Sequence, residues 1–268
     1  MSKKITEIAI VAGMIALSVG SACADHPLIT DDAGVVGVTH VETELNGVYN
    51  HNRDRSDGVV HRAESTGAEA KFTTGVFKDV HIALTVPYTF NSRSSDDSID
   101  SERGSGFGDM NAEIKYRFFE AEGFGFTAKP YVIIPTGRYS VGLSDGRWGF
   151  GATLISTKEF DEGRYALHAN VVYEHHDYKN PADRSANRSD LWRGSIAGKA
   201  EVLKGVKAML DFGVGTDADK GSNEVASYVL VGAGCEIAEN VEVNAGVKFG
   251  VTRGENDLSL LWGATIRL

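Results

Sequence analysis

The chain has 268 residues, and its 37 acidic residues outnumber its 27 basic residues, which gives a formal net charge of −10. This charge disfavours nucleic acid and anionic lipid surfaces as partners. The 31 glycines, combined with few helical patterns, favour an all-β chain over a helical one.

Residues 1–24 have the pattern of a cleaved secretory signal peptide. Two lysines precede an apolar run at positions 8–19, and A-C-A at positions 22–24 is a small-residue cleavage site. The alternative, a lipoprotein acylated at Cys23, requires a larger aliphatic residue where Gly20 stands. Cleavage leaves Cys235 as the single cysteine, so we expect no internal disulfide. After it, residues 25–37 are predicted to form a short N-terminal periplasmic segment.

The first strand of the mature chain alternates from Val41 to Tyr49, and similar stretches follow to the end. The predicted strands cover 41–49, 68–73, 80–90, 106–118, 124–134, 148–154, 165–174, 192–201, 206–214, 225–237, 241–251 and 258–268. Their connections alternate between long polar loops and short turns. Pro130 lacks a ladder donor, which predicts a local distortion. The strand over 225–237 is apolar or small on both faces, so its facing stays open.

The stretch 106–118, GFGDMNAEIKYRF, shows the alternation most clearly. Its odd positions from Asp109 to Arg117 are polar or charged, and the even positions between them are mainly apolar. Such a strand fits a soluble sandwich with its apolar face inside, or a membrane barrel with its apolar face toward lipid. The export signal, the alternating loop lengths and the aromatics near strand ends favour the barrel. We therefore predict an all-β fold: a transmembrane antiparallel up-and-down β-barrel of about 12 strands over residues 38–268.

Four segments together resemble a known group of proteins. These are HPLITDDAG near position 30, GFGDMNAEIKYRF, PTGRY from Pro135, and NVVY at 170–173. In them the chain resembles outer-membrane transporters grouped as "MetA-pathway of phenol degradation" proteins. The resemblance implies a barrel and uptake of aromatic or other hydrophobic compounds.

The sequence gives little support for catalysis or metal binding. No histidine and serine share an outer face with an orienting asparagine, as the triad of an outer-membrane phospholipase requires. His175 and His176 are adjacent and point to opposite faces, which prevents joint ligation of a metal. The DADKGSNE loop from Asp217 lacks a full calcium-ligand set and reads as an exposed turn. We predict no catalytic residues, no metal and no cofactor.

The predicted function is passive passage of small, aromatic or hydrophobic compounds across the outer membrane of a Gram-negative bacterium, with segment 25–37 as a gate. The predicted partners are small-molecule cargo, outer-membrane lipid and lipopolysaccharide, but not nucleic acid. One alternative is a closed structural barrel filled by paired charges, whose acidic loop DDSIDSE binds cations that bridge lipopolysaccharide. A remote alternative is a lipid-modifying enzyme. The predicted lumen path is lined by Asp109, Asn111, Glu113, Lys115, Arg117, Lys129 and Tyr131.

Overall fold

The structure is a computed structural model that describes residues 26–56, 59–96 and 99–268, without the side chains of 54–56, 59, 96 and 99–103. The predicted signal peptide over 1–24 lies outside the described residues, and so do the side chains of most of the DDSIDSE loop. In the described ranges, no helix is long and apolar enough to cross a membrane.

Long antiparallel strands make up most of the chain. They are β1 (Val41–Ser56), β2 (Val59–Phe77), β3 (Val80–Asp96), β4 (Ile99–Arg103), β5 (Gly106–Phe107), β6 (Met110–Ala121), β7 (Phe124–Ile134), β8 (Gly149–Phe160), β9 (Tyr165–His175), β10 (Asp190–Leu203), β11 (Val206–Thr216), β12 (Val225–Ala238), β13 (Val241–Gly250) and β14 (Leu258–Arg267). A short helix, α1 (Pro181–Ala186), and a 3₁₀ turn over Tyr139–Val141 lie in connections.

The strands close on themselves. Each long strand pairs with the next, and β1 pairs with β14 from Glu42 opposite Arg267 to His51 opposite Leu258. The short β4 and β5 only extend the wall beside β3, while β3 pairs on to β6. The result is a closed antiparallel barrel of twelve long strands, which confirms the predicted fold.

The two faces of the wall differ in polarity as the alternation predicts. On β6, Ile114 is 51% exposed on the outer surface, whereas its neighbours Glu113 and Lys115 are only 3% and 2% exposed inside. An apolar outer surface around a charged interior is the arrangement of a membrane barrel. The facing of β12 is also defined: Tyr228 and Leu230 point inward and are buried, and Val231 points outward.

The two ends of the barrel are unequal. Short turns join β2 to β3, β6 to β7, β8 to β9, β10 to β11 and β12 to β13. At the other end lie the long connections after β7, β9, β11 and β13, together with the extended ends of β1, β2 and β3, which take in most of the polar stretches at 51–56 and 91–96. The start of β1 and the end of β14 lie at the short-turn end, where Val41 and Leu268 exchange backbone hydrogen bonds. In outer-membrane barrels this end faces the periplasm. The ladder between β6 and β7 is interrupted beside Pro130, between the pairs Glu113–Tyr131 and Tyr116–Ala128.

Candidate functional site: the lumen and the segment inside it

Residues 26–37 run through the lumen instead of lying outside the barrel in the periplasm. Leu28, Thr30, Asp31 and Ala33 are each 3% exposed or less. They contact inward-facing residues of strands on several sides of the wall, from β11 and β8 to β6 and β3. We call residues 26–37 the lumen segment. Sequence patterns did not show this position, because a segment that packs against a polar interior needs no periodicity of its own.

The middle of the lumen segment is held by hydrogen bonds from its backbone. The N–H groups of Ile29 and Thr30 both donate to Asp211 Oδ2, at 2.7 and 2.8 Å, and the Thr30 hydroxyl donates to Oδ1 at 2.7 Å. Ala33 N–H donates to Thr157 Oγ1 at 2.8 Å. Asp211 is fully buried and has no contact with bulk water, so its carboxylate depends on the hydrogen bonds that this backbone conformation of the segment supplies.

Asp31 lies in a buried ionic cluster. Its two carboxylate oxygens accept from Lys115 Nζ at 2.9 Å and Lys129 Nζ at 2.8 Å. Glu113 lies 3.8 Å from Lys129 and 2.9 Å from Lys71, and all of these side chains are 3% exposed or less. Two of the charges that hold this cluster together, Lys115 and Lys129, therefore depend on the lumen segment for their partner.

Apolar contacts anchor the tip of the segment. Leu28 packs into a cluster with Met209, Tyr228 and Leu230 of β11 and β12. Beside it, glycines of the wall make room for Pro27: a Cβ at Gly232 would lie 2.4 Å from Pro27 Cγ. An apolar patch inside a polar lumen explains why both faces of β12 are apolar or small in sequence.

Beyond the segment, toward the long loops, lies a cavity of about 190 Å³. The lumen segment forms its floor through His26, Leu28 and Ile29. Its walls include the apolar residues Val48, Val172, Leu191 and Leu261, and the polar residues Asn46, Asn50, Glu69, Tyr131, Glu174, Arg193, Tyr228 and Lys248. The cavity thus combines apolar surface with a few polar groups, which is typical of sites for small organic molecules.

A hydrogen-bonded chain borders the cavity at its outer side. Tyr131 donates to Glu174 Oε2 at 2.5 Å, and His176 contacts Glu174 Oε1 at 2.5 Å and Asp145 Oδ2 at 2.8 Å. Burial opposes protonation of His176, but the hydrogen bonds to Asp145 and Glu174 outweigh it and raise its pKa to about 10. The imidazolium therefore ties the β7–β8 connection, which carries Asp145, to the end of β9.

The predicted lumen residues lie at three heights along the barrel axis: inside the lumen, at its outer mouth and at its periplasmic rim. Lys115, Lys129 and Glu113 form the ionic cluster, and Asn111 and Tyr131 are also buried on the inner face. Asp109 lies at the outer mouth, where it accepts from the backbone N–H groups of Gly137 and Asp145. Arg117 lies at the periplasmic rim and pairs with Asp79 at 3.0 Å and Glu120 at 2.9 Å.

Sequence reasoning missed the role of Asp31. This residue sits in the D-D pair at 31–32, but only its position in the lumen gives it a partner. The alternation of their strands predicts that Arg193, Glu174 and Asp211 face inward, although they are not among the residues of the predicted lumen path. Across the described residues, no group of three or more His, Cys, Asp or Glu side chains is placed to hold a metal ion.

Solved structures of outer-membrane barrels share this fold. The COG4313 outer membrane channel from Pseudomonas putida F1 is 14% identical, with a TM-score of 0.71 over 88% of this chain and 98% of that one. The transport unit of the Escherichia coli autotransporter AIDA-I is 10% identical, with a TM-score of 0.59 over 97% and 96%. The NanC porin is 10% identical, with a TM-score of 0.55 over 84% and 100%.

Sequence comparisons give one match. A search of curated proteins found none. The family model described as "Putative MetA-pathway of phenol degradation" matches residues 29–268, nearly the whole described chain, and so includes most of the lumen segment together with the barrel. The chain therefore belongs to this family of outer-membrane barrels, as the resemblance in its motifs predicted.

Proposed function

We propose that this protein is an outer-membrane channel for passive uptake of small organic solutes, and that the lumen segment is its gate. The observation that supports this proposal most directly is the cavity whose floor is formed by the lumen segment. A solute arriving between the long loops reaches this cavity, and its way to the periplasm is through the space that residues 26–37 occupy. Transport then requires the segment to move.

The contacts of the segment support a gate. Asp211 holds the segment through hydrogen bonds, and Lys115 and Lys129 hold it through their ionic contacts with Asp31. The net contribution of each such contact is of the order of 1–3 kcal/mol. Few apolar side chains of the segment are buried alongside these contacts: Pro27, Leu28 and Ala33. In the open state, water and cargo replace the segment as partners of the lumen side chains.

The mixed apolar and polar lining of the cavity, and the family's link to phenol degradation, favour aromatic or hydrophobic cargo. The experiment is uptake into liposomes carrying the purified protein, with phenol, benzoate and a neutral sugar as solutes and protein-free liposomes as the control. We expect faster uptake of the aromatic solutes than of the sugar. Equal permeability of the two kinds of liposome to all three solutes would refute the channel.

A closed structural barrel is the second candidate, and one observation favours it. Lys71, Lys115 and Lys129 all have carboxylate partners within 4.0 Å, so the lower lumen is filled by paired charges. Planar-bilayer recording separates the two functions. A channel gives discrete conductance steps, whereas a closed barrel gives a flat trace at every voltage.

A further inference from the structure

Among the described residues, two ionisable side chains that line the cavity have no oppositely charged side chain close enough for an ion pair. Within the described part of the chain, Arg193 has no carboxylate within 4.0 Å and Glu69 has no cation within that distance. Glu69 accepts a single long hydrogen bond, 3.4 Å from Asn46 Nδ2. By contrast, Lys248 in the same cavity pairs with Glu255 at 2.8 Å. Arg193 and Glu69 are therefore available to a ligand.

The neighbours of Arg193 explain why it has no carboxylate partner. Glu174 also lines the cavity, but its Oε2 accepts from the Tyr131 hydroxyl and its Oε1 contacts His176, both at 2.5 Å. A guanidinium offers five N–H donors in a planar fork that matches a carboxylate. A carboxylate brought by a ligand would meet these donors without displacing an existing ion pair.

Arg193 and Glu69 lie on opposite walls. Arg193 is on β10 and Glu69 is on β2, which are six strands apart around a barrel of twelve. With strands about 4.8 Å apart and tilted by about 40°, opposite backbones are about 24 Å apart. Side chains from both walls line the same cavity of about 190 Å³, together with the apolar Leu261, Val172 and Ile29.

From this arrangement we infer that the cavity is a binding site for an aromatic acid with a hydrogen-bond donor at the far end of its ring. The carboxylate binds Arg193, the ring lies against the apolar walls, and a hydroxyl or amino group donates to Glu69. A free amino acid carries its carboxylate and ammonium on one carbon, so it reaches only one of the two walls. The inference rests on the proposed function, because it names the class of solute that the channel takes up.

The test is calorimetric titration of the purified full-length protein in detergent with 4-hydroxybenzoate, benzoate, phenol and phenylalanine. We expect 4-hydroxybenzoate to bind about 5-fold or more tightly than benzoate or phenol, and phenylalanine to bind no more tightly than phenol. R193M is expected to weaken 4-hydroxybenzoate and benzoate at least about 10-fold and leave phenol unchanged, with partial recovery in R193K. E69A is expected to equalise 4-hydroxybenzoate and benzoate.

Arg267→Met is the matched control, because it removes the same guanidinium from an arginine outside the cavity, paired with Glu42 at 2.9 Å near the short-turn end of the barrel. It is expected to change benzoate affinity less than about 3-fold. Heat-modified gel mobility and a β-type circular dichroism spectrum show whether each variant is folded. Equal affinity for all four compounds, or an effect of R193M no larger than that of R267M, overturns the inference.

The binding measurement tests the proposed site, and the uptake measurement tests the proposed channel, so one proposal can be refuted without the other. Uptake of aromatic solutes without this binding pattern overturns the binding site and leaves the channel. Binding with this pattern, but without uptake or conductance, supports the site and overturns the channel.

Discussion

Removing the carboxylate of Asp31 is expected to open the barrel. Asp31→Ala leaves the buried ammonium groups of Lys115 and Lys129 without the partner that now lies 2.9 and 2.8 Å away. Breaking a buried ion pair from one side typically costs about 3–5 kcal/mol. Glu113 is 3.8 Å from Lys129 and can take up part of the charge, so the lower value applies. About 3 kcal/mol against the closed state corresponds to a rise of about 100-fold in the ratio of open to closed barrels.

Single-channel recording in planar bilayers measures this ratio as the open probability. Asp32→Ala is the matched control: Asp32 is the next residue, lies 3.6 Å from Lys115 and is 22% exposed. A partly exposed pair contributes about 1 kcal/mol or less, so its open probability should rise less than about 5-fold. If the two variants open equally often, the buried ionic cluster does not hold the segment, and the reasoning fails.

Two further predictions concern the outer mouth and the tip of the segment. His176 has its pKa raised to about 10, so its stabilising effect is complete below about pH 6.5 and is lost as the pH rises toward 10. Trypsin cleavage in the β7–β8 connection should therefore accelerate from pH 7 to pH 10 in the wild type, and should be fast and flat with pH in H176Q. A pH-independent wild type would refute this. Gly232→Ala places a methyl group 2.4 Å from Pro27 Cγ and should raise the open probability, while Gly194→Ala, with nothing within 4 Å, should not. Equal open probabilities in these two glycine variants would count against the close packing of the tip.

The barrel wall was predictable from sequence because lipid and water impose opposite requirements on alternate residues of each strand. On β6, Glu113 and Lys115 inside and Ile114 outside follow this rule without exception. The rule fails on β12, where Tyr228 and Leu230 point inward. Their partner is Leu28, about 200 residues away, so no local pattern accounts for them.

The candidate site was predictable only in part, for a related reason. Inward-facing charges such as Lys115 and Lys129 are visible in the alternation, but their role depends on whether the lumen is empty or filled. Asp31 fills it, and its position follows from contacts with β6 and β7 that are formed only in the folded chain. The sequence predicts residues 25–37 as a gate in the periplasm, and so it gives Lys115 and Lys129 no partner from that segment.

The most direct test of the account is to fix the lumen segment reversibly. A Cβ at Gly125 would lie 2.9 Å from the Cβ of Ala33, so cysteines at these positions in a Cys235→Ala background need to separate by only about 1 Å to form a disulfide. Ala33 is two residues from Asp31, so the bond keeps the segment beside its ionic partners. The single variant Gly125→Cys is the control. We expect no conductance steps from the oxidised double variant and normal steps after reduction in the same bilayer. Steps of unchanged size and frequency in the oxidised protein would show that solutes pass while the segment stays in place.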